Sequence, residues 1–266
     1  MTIPFTKAHG AGNDFLLTWA HESPALPEIA RAICDRHTGI GADGWILVDR
    51  SLSIRIFNSD GSEPEISGNG TRCAAAFLIH HGAANGDLAI RTGAGSKQLR
   101  LIHREGMLFT FEMNMGSPRF QAETFLLPLS TGQLDVTLVD VGNPQCAVPV
   151  EDFDFDWRST GAEIERHTQF PKRTNVSFFR VVDEHTIDVR FFERGAGETM
   201  SSGTGSTGAV AAAICRGLVR NPVRVLTPAG RLDTRNDDAI HLTGPAEIVA
   251  EGVFHYRAEA IPAVRK

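Results

Sequence analysis

Two serines, Ser67 and Ser202, stand at the same point of two similar runs. Ser67-Gly68-Asn69-Gly70-Thr71-Arg72 leads into Cys73-Ala74-Ala75-Ala76-Phe77-Leu78-Ile79, and Ser202-Gly203-Thr204-Gly205-Ser206-Thr207 leads into Gly208-Ala209-Val210-Ala211-Ala212-Ala213-Ile214. Each reads as a glycine-rich turn feeding an apolar, alanine-rich helix with serine as its N-cap. The glycines allow a ligand close to the backbone. The first amides of such a helix are unpaired and carry the positive end of its dipole, which makes a site for a carboxylate or phosphate. No βαβ context or later acidic residue accompanies the glycines, so they are not a dinucleotide fingerprint.

The likeness of the two runs extends upstream. Asn58 closes Arg55-Ile56-Phe57-Asn58 nine residues before Ser67, and Glu193 closes Arg190-Phe191-Phe192-Glu193 nine residues before Ser202. Gly12-Asn13 and Gly142-Asn143 are matched at nearly the same offset, about 130 to 135 residues. Matched motifs at a fixed offset indicate duplication and two like domains. Two helix N-termini of one kind point to a single ligand gripped from both sides in the cleft between them.

The elements that must position these groups follow from patterning. Glu28 to Arg36 is amphipathic, with Ile29, Ile33 and Cys34 on one face, and Ala162 to His167 reads as a short helix. Short alternating strands are expected at residues 5–9, 45–48, 53–57, 88–92, 98–104, 108–113, 134–141, 186–192, 223–227, 231–234 and 239–242. Gly244-Pro245-Ala246 reads as a turn, and Asp43 before Gly44 as another. The expected class is α/β (α+β), two pseudo-symmetric domains, each a mostly antiparallel sheet curled around one Ala-rich helix. The expected division is 1–117, rejoined by 246–266, and 118–245, with Ser117-Pro118 as the crossover.

Composition narrows the function. A chain of 266 residues, 42% hydrophobic and 22% charged, has room for two ordinary soluble domains. A net charge of −6 with interspersed signs argues against nucleic acid. No apolar run is long enough for a membrane helix. Met1-Thr2-Ile3-Pro4-Phe5 lacks the basic and apolar regions of a signal peptide, and the four cysteines at 34, 73, 146 and 215 form no C-x-x-C pair. A reducing cytoplasm, without a disulfide framework or a zinc spacing, is the expectation. His9, His80 and His81 have no evident partner in the sequence, so surface or core histidines are expected there.

Taken together, Gly12-Asn13-Asp14-Phe15, Gly39-Ile40-Gly41-Ala42-Asp43, Asn58-Ser59-Asp60-Gly61-Ser62-Glu63, Gly68-Asn69-Gly70-Thr71-Arg72-Cys73, Gly142-Asn143-Pro144, Thr174-Asn175-Val176 and Glu193-Arg194-Gly195-Ala196-Gly197-Glu198-Thr199 resemble the diaminopimelate epimerase family over nearly the whole chain. The resemblance implies epimerisation of LL- to meso-diaminopimelate in lysine and peptidoglycan-precursor synthesis, by two bases on opposite faces of the α-carbon. It implies no pyridoxal phosphate, no metal and a homodimer. Carried over, Asn13, Asn58, Asn69, Asn143, Asn175, Glu193 and Arg194 are implied substrate contacts. Gly68, Gly203 and Thr204 are the implied amides for the α-carboxylate, and Ser67 and Ser202 occupy the two acid–base positions.

At those two positions the family pattern has cysteine, and a histidine where Gln145 stands. A thiol near a helix N-terminus ionises at neutral pH, whereas a hydroxyl needs a neighbouring base. Gln145 cannot be that base; Glu193 can, if it lies close. Cys73 points away around its helix, Cys215 lies turns further on, and Cys146 falls on the other side of an extended segment, so none stands in. Three alternatives accompany the epimerase reading: a divergent isomerase or dehydratase on the same scaffold, a binding protein without turnover, and an engineered Cys-to-Ser variant.

Overall fold

Alternation in the sequence becomes a buried face. Along Leu108–Gly116, residues Phe109, Phe111, Met113 and Met115 are buried and their neighbours are not, as a pleated strand over a core requires. A computed structural model of the chain describes residues 1–257. The first half runs β1 (Thr2–Gly10), β2 (Asn13–Trp19), α1 (Leu26–Cys34), β3 (Gly44–Asp49), β4 (Ser53–Asn58), α2 (Gly68–His80), β5 (Leu88–Thr92), β6 (Gly95–Glu105) and β7 (Leu108–Gly116). The second runs β8 (Arg119–Leu129), β9 (Gly132–Asp140), β10 (Pro144–Pro149), α3 (Trp157–Glu165), β11 (Asn175–Asp183), β12 (Thr186–Glu193), β13 (Gly197–Thr199), α4 (Gly203–Cys215), β14 (Val223–Thr227), β15 (Gly230–Asn236) and β16 (Ile240–His255).

Strands β1 to β7 pair in chain order, and β16 pairs with both β7 and β1, closing a ring of eight strands around α2. From β16 the sheet continues through β15, β14, β12, β11, β10 and β9 to β8, and this second half curls against α4. Most neighbours are antiparallel. Among the described residues the four parallel pairs are β2–β3, β4–β5, β10–β11 and β12–β14, and α1 to α4 respectively bridge them. Each half therefore repeats one plan, two helix-bridged parallel pairs in an antiparallel surround. The helices at the centres are all but sealed: Cys73 to Leu78 and Ala209 to Ala213 are buried, which explains why both are apolar all round.

Several elements differ from the sequence reading. Helix α1 begins two residues before Glu28, with Pro27 in its first turn, where a missing N–H costs nothing. Helix α3 spans Trp157–Glu165 instead of starting at Ala162, because Asp156 caps it by accepting from the Ser159 amide. Strand β8 falls largely within residues 87–127, which read as successive strands, but the residues set no bounds for it: much of it is exposed and gives little periodic signal. The three-residue β13 likewise has none.

Gly244-Pro245-Ala246 is the interior of β16 and not a turn. Partners in β15 end at Thr243 and partners in β1 begin at Glu247, so around Pro245 the strand pairs with β7 alone. A proline is tolerated in a strand where one edge is unpaired. Of the segment 246–266, residues 258–266 lie outside the described residues.

Candidate active site

Helices α2 and α4 meet end to end. An added Cβ on Gly68 would lie 3.0 Å from Gly203 Cα, and one on Gly203 would lie 2.9 Å from Gly68 Cα. What these glycines accommodate in the folded chain is the opposite helix. The preceding serines are conformational twins, at φ −127°, ψ 122° for Ser67 and φ −136°, ψ 123° for Ser202. Ser67 Oγ accepts from the Gly70 amide at 3.1 Å and Ser202 Oγ from the Gly205 amide at 3.0 Å. Both are true N-caps, and each cap leaves its hydroxyl proton free to donate elsewhere.

A cleft beside this junction is lined by Asn13, Asp43, Asn58, Ser67, Asn143, Asn175, Glu193, Arg194 and Thr204, with Phe15, Pro64, Ile66 and Ala196 as its apolar wall. Eight of the residues singled out in the sequence are thus brought together from both halves. Gly68, Asn69, Ser202 and Gly203 lie immediately behind this lining. Asn69 is fully buried: its Nδ2 donates to Asn13 Oδ1 at 3.2 Å and to the Ser201 carbonyl at 3.0 Å, and its Oδ1 accepts from Arg72 Nη2 at 2.6 Å. It holds Asn13 and ties α2 to the start of α4, with both side-chain N–H donors used within the chain.

The other amides are also cross-braced. Asn13 Nδ2 donates to Asp43 Oδ2 at 2.6 Å. Asn143 Oδ1 accepts from Gln145 Nε2 at 2.7 Å, and Asn143 Nδ2 reaches Thr204 Oγ1 at 3.4 Å. Asn175 Nδ2 donates to the Pro144 carbonyl at 2.9 Å and its Oδ1 accepts the Arg194 amide at 3.0 Å. Asn58 Nδ2 donates to Ser62 Oγ at 3.0 Å. Gln145, almost fully buried, serves as a spacer behind Asn143.

The carboxylates break the symmetry. Asn58 and Glu193 end the equivalent strands β4 and β12, so one half presents a carboxamide where the other presents an acid. Glu193 keeps part of its surface in the cleft, yet protein packs closely around its carboxyl. Desolvation pushes its pKa up to about 7; the Ser202 hydroxyl, placed to donate to it, opposes the rise, and the charge of Asp43 adds to it. Glu193 is thus a carboxyl group close to Ser202.

Three carboxylates at the site were not expected from sequence. Asp43 lines the cleft and is not a simple turn residue: burial and the nearby Asp14 hold its pKa above the ordinary value. Arg36 bridges both aspartates, with Nη2 2.7 Å from an oxygen of each. Glu65 forms an ion pair with Arg194 across the halves, while Arg194 Nη1 donates to the Lys172 carbonyl at 3.1 Å. Arg194 therefore already holds a carboxylate of this chain. Glu165, buried between Arg173 and Arg166, accepts from the Gly195 amide and supports the turn after Arg194. Only Asp43 carried a signal, through its place in Gly39-Ile40-Gly41-Ala42-Asp43; Glu65 and Glu165 sit outside the repeated motifs.

Among the described residues, no cysteine lines the cleft. Burial pushes Cys73 and Cys34 up to about 12 and raises Cys146 further still, which leaves them as inert thiols.

The family model for diaminopimelate epimerase matches residues 5–121 and 137–249. A diaminopimelate epimerase of Pelotomaculum thermopropionicum is 39% identical, over 95% of this chain and 99% of the relative, and one of Moorella thermoacetica is 40% identical, over 94% and 98%. The chain belongs to the diaminopimelate epimerase family. That is a family of isomerases. Among solved structures, a hydroxyproline epimerase from Agrobacterium vitis superposes with a TM-score of 0.74 at 13% identity, covering 95% of this chain and 92% of that one. A phenazine biosynthesis protein of the PhzF family from Bacillus anthracis gives 0.71 at 16%, covering 95% and 99%. At such identities these two speak to the two-domain fold alone.

Proposed function

We propose that the chain binds a diamino diacid, diaminopimelate, in the cleft between its halves and moves the proton on its α-carbon, converting the LL to the meso form. The observation that carries this reading is the abutment of the two helix N-termini at Gly68 and Gly203, with Ser67 and Ser202 flanking the junction as twins. Free amides there suit an α-carboxylate, and the serines then stand on either side of the carbon attached to it. Asn13, Asn58, Asn143, Asn175 and Arg194 line the space for the distal amino and carboxyl groups.

The two sides differ in strength as bases. On one, Ser202 Oγ accepts the α-proton while its own proton passes to the Glu193 carboxylate; the electron pair of the C–H bond stays on the α-carbon, next to the carboxylate held by the amides. On the other, the strand end equivalent to Glu193 carries Asn58, whose carboxamide cannot take a proton, so Ser67 lacks such a relay. Removal and return of a proton on the Ser202 face is therefore faster than delivery to the opposite face, and inversion is slow against exchange. Proton NMR of LL-diaminopimelate in deuterated buffer tests this: loss of the α-proton signal ahead of the appearance of meso product is expected. Binding by calorimetry without any exchange would instead support the alternative of a binding protein.

The division proposed is residues 1–117 with the chain from 246 onward, and 118–245. The change of partner along β16, from β15 up to Thr243 to β1 from Glu247, supports it. A homodimer, resting on the family, and a cytoplasmic setting, resting on the scattered cysteines, are proposed with it.

A further inference from the structure

The far end of α2 carries a second cluster. His80, its last residue, and the capping residue His81 both face Glu251 of β16. His80 Nε2 lies 3.2 Å and His81 Nε2 3.6 Å from the same oxygen, Glu251 Oε1, and all three ligand atoms fall within 4.8 Å of one another. The sequence leaves these histidines without a partner, because Glu251 arrives only through the pairing of β16 with β1.

Ion pairing alone accounts poorly for this geometry. One carboxylate faces two imidazoles whose rings are 4.9 Å apart, so charging both would set two like charges against each other. His81 lies against the apolar wall of the barrel. The ring is fixed edge-on against Phe77, at 4.4 Å between centroids, and Trp19, at 5.8 Å. Thr6 Oγ1 lies 3.2 Å from His81 Nε2 and 3.4 Å from Glu251 Oε1, so a bound ion replaces the contact of Thr6 with the imidazole while Thr6 donates to the carboxylate. A zinc ion with bonds of about 2.0–2.1 Å puts neighbouring tetrahedral ligands about 3.3–3.4 Å apart. The separations of 3.2 and 3.6 Å are close to two such edges sharing the carboxylate oxygen.

We propose that His80, His81 and Glu251 form a site for a divalent transition ion of the zinc type, which fastens the C-terminal end of α2 to the barrel wall. Two imidazoles and a carboxylate are a donor set that suits zinc and not magnesium. Three protein ligands leave one coordination position open, and His81 and Glu251 also line the groove formed by Phe5, Leu17, Trp19 and Phe77. The site is separate from the cleft. Helix α2 has 13 residues, and at 1.5 Å per residue its ends are about 20 Å apart.

Calorimetry of the intact chain with zinc chloride, after removal of adventitious metal by chelator, tests the proposal. One equivalent bound per chain, with a raised Tm, is expected; magnesium should give neither. Glu251→Gln and the paired change His80→Ala with His81→Ala should abolish zinc binding while leaving proton exchange at the cleft unchanged. Absence of binding, or binding that survives in Glu251→Gln, overturns the proposal. Cobalt(II) bound to the unmodified chain gives a reading independent of the variants: an intense tetrahedral spectrum supports the site, and the weak spectrum of the hydrated ion overturns it.

Discussion

Glu193 concentrates the consequences of a single residue. Burial holds its pKa at about 7, against about 4.3 for an exposed glutamate. Between those values the folded chain keeps a proton that the unfolded chain has released, so this residue makes stability fall as pH rises through that window, by about 4 kcal/mol at most. Glu193→Gln should remove this dependence and be more stable than the parent above pH 7, as read by urea denaturation on both sides of the window. The same substitution should abolish α-proton exchange, and exchange by the parent should rise with pH to a plateau above about 7, where the carboxylate is ionised. At the serines, Ser67→Cys with Ser202→Cys should raise epimerisation and confer sensitivity to alkylating agents, with each single change doing less. A parent that epimerises at full rate, slowed by either change, would show that the serines are tuned bases. Arg194→Met should weaken diaminopimelate binding by about 1.5–3 kcal/mol. Glu65→Gln should act in the opposite direction, because it frees the guanidinium for the ligand; calorimetry on the two variants checks both signs.

At the scale of elements, the contact between α2 and α4 sets the site. A methyl group at Gly68 or Gly203 would meet backbone at 3.0 or 2.9 Å, and backbone cannot rotate aside. Gly68→Ala and Gly203→Ala should each cost about 1–3 kcal/mol and also weaken the ligand, since separating the helix ends spreads the amides apart. Ser67→Ala and Ser202→Ala should each cost about 1 kcal/mol through the lost cap. If capping were their sole role, exchange would survive that loss; the proposal expects Ser202→Ala to abolish it. Thermal melts paired with the exchange assay separate the two effects.

The whole molecule is one sheet whose shared strand, β16, belongs to both halves. A ligand that touches Asn58 and Ser67 from one half and Asn143, Glu193 and Thr204 from the other bridges units that also meet at the helix ends, along β16 and through Glu65 and Arg194. Diaminopimelate at about 100 times its Kd should therefore stabilise the fold by about 2.7 kcal/mol, raising the Tm of both halves in one transition. Two separate transitions, with one insensitive to ligand, would argue against a bridging site. Light scattering at micromolar concentration should give twice the chain mass; a monomer mass would remove the homodimer from the proposal.

Much of this was legible in the residues alone, for reasons of local chemistry. Ser67 and Ser202 before Gly-x-Gly and an alanine run specify two capped, buried helices, because capping and all-round apolarity act within a few residues of one another. The equal spacing from Asn58 to Ser67 and from Glu193 to Ser202 specified the repeat and the site-bearing strand ends. Only the tertiary structure decided the rest. Pro245 reads as a turn until β7 is seen to be the strand's partner there. Asp43 reads as a turn until Asn13 and Arg36 reach it, and the pairing of Glu65 with Arg194 spans 129 positions. The pKa of Glu193 depends on the protein packed around it, which no window of sequence contains. Local propensities choose elements, but desolvation, ion pairing and the approach of two helix ends depend on distances in space, and chain folding alone sets those.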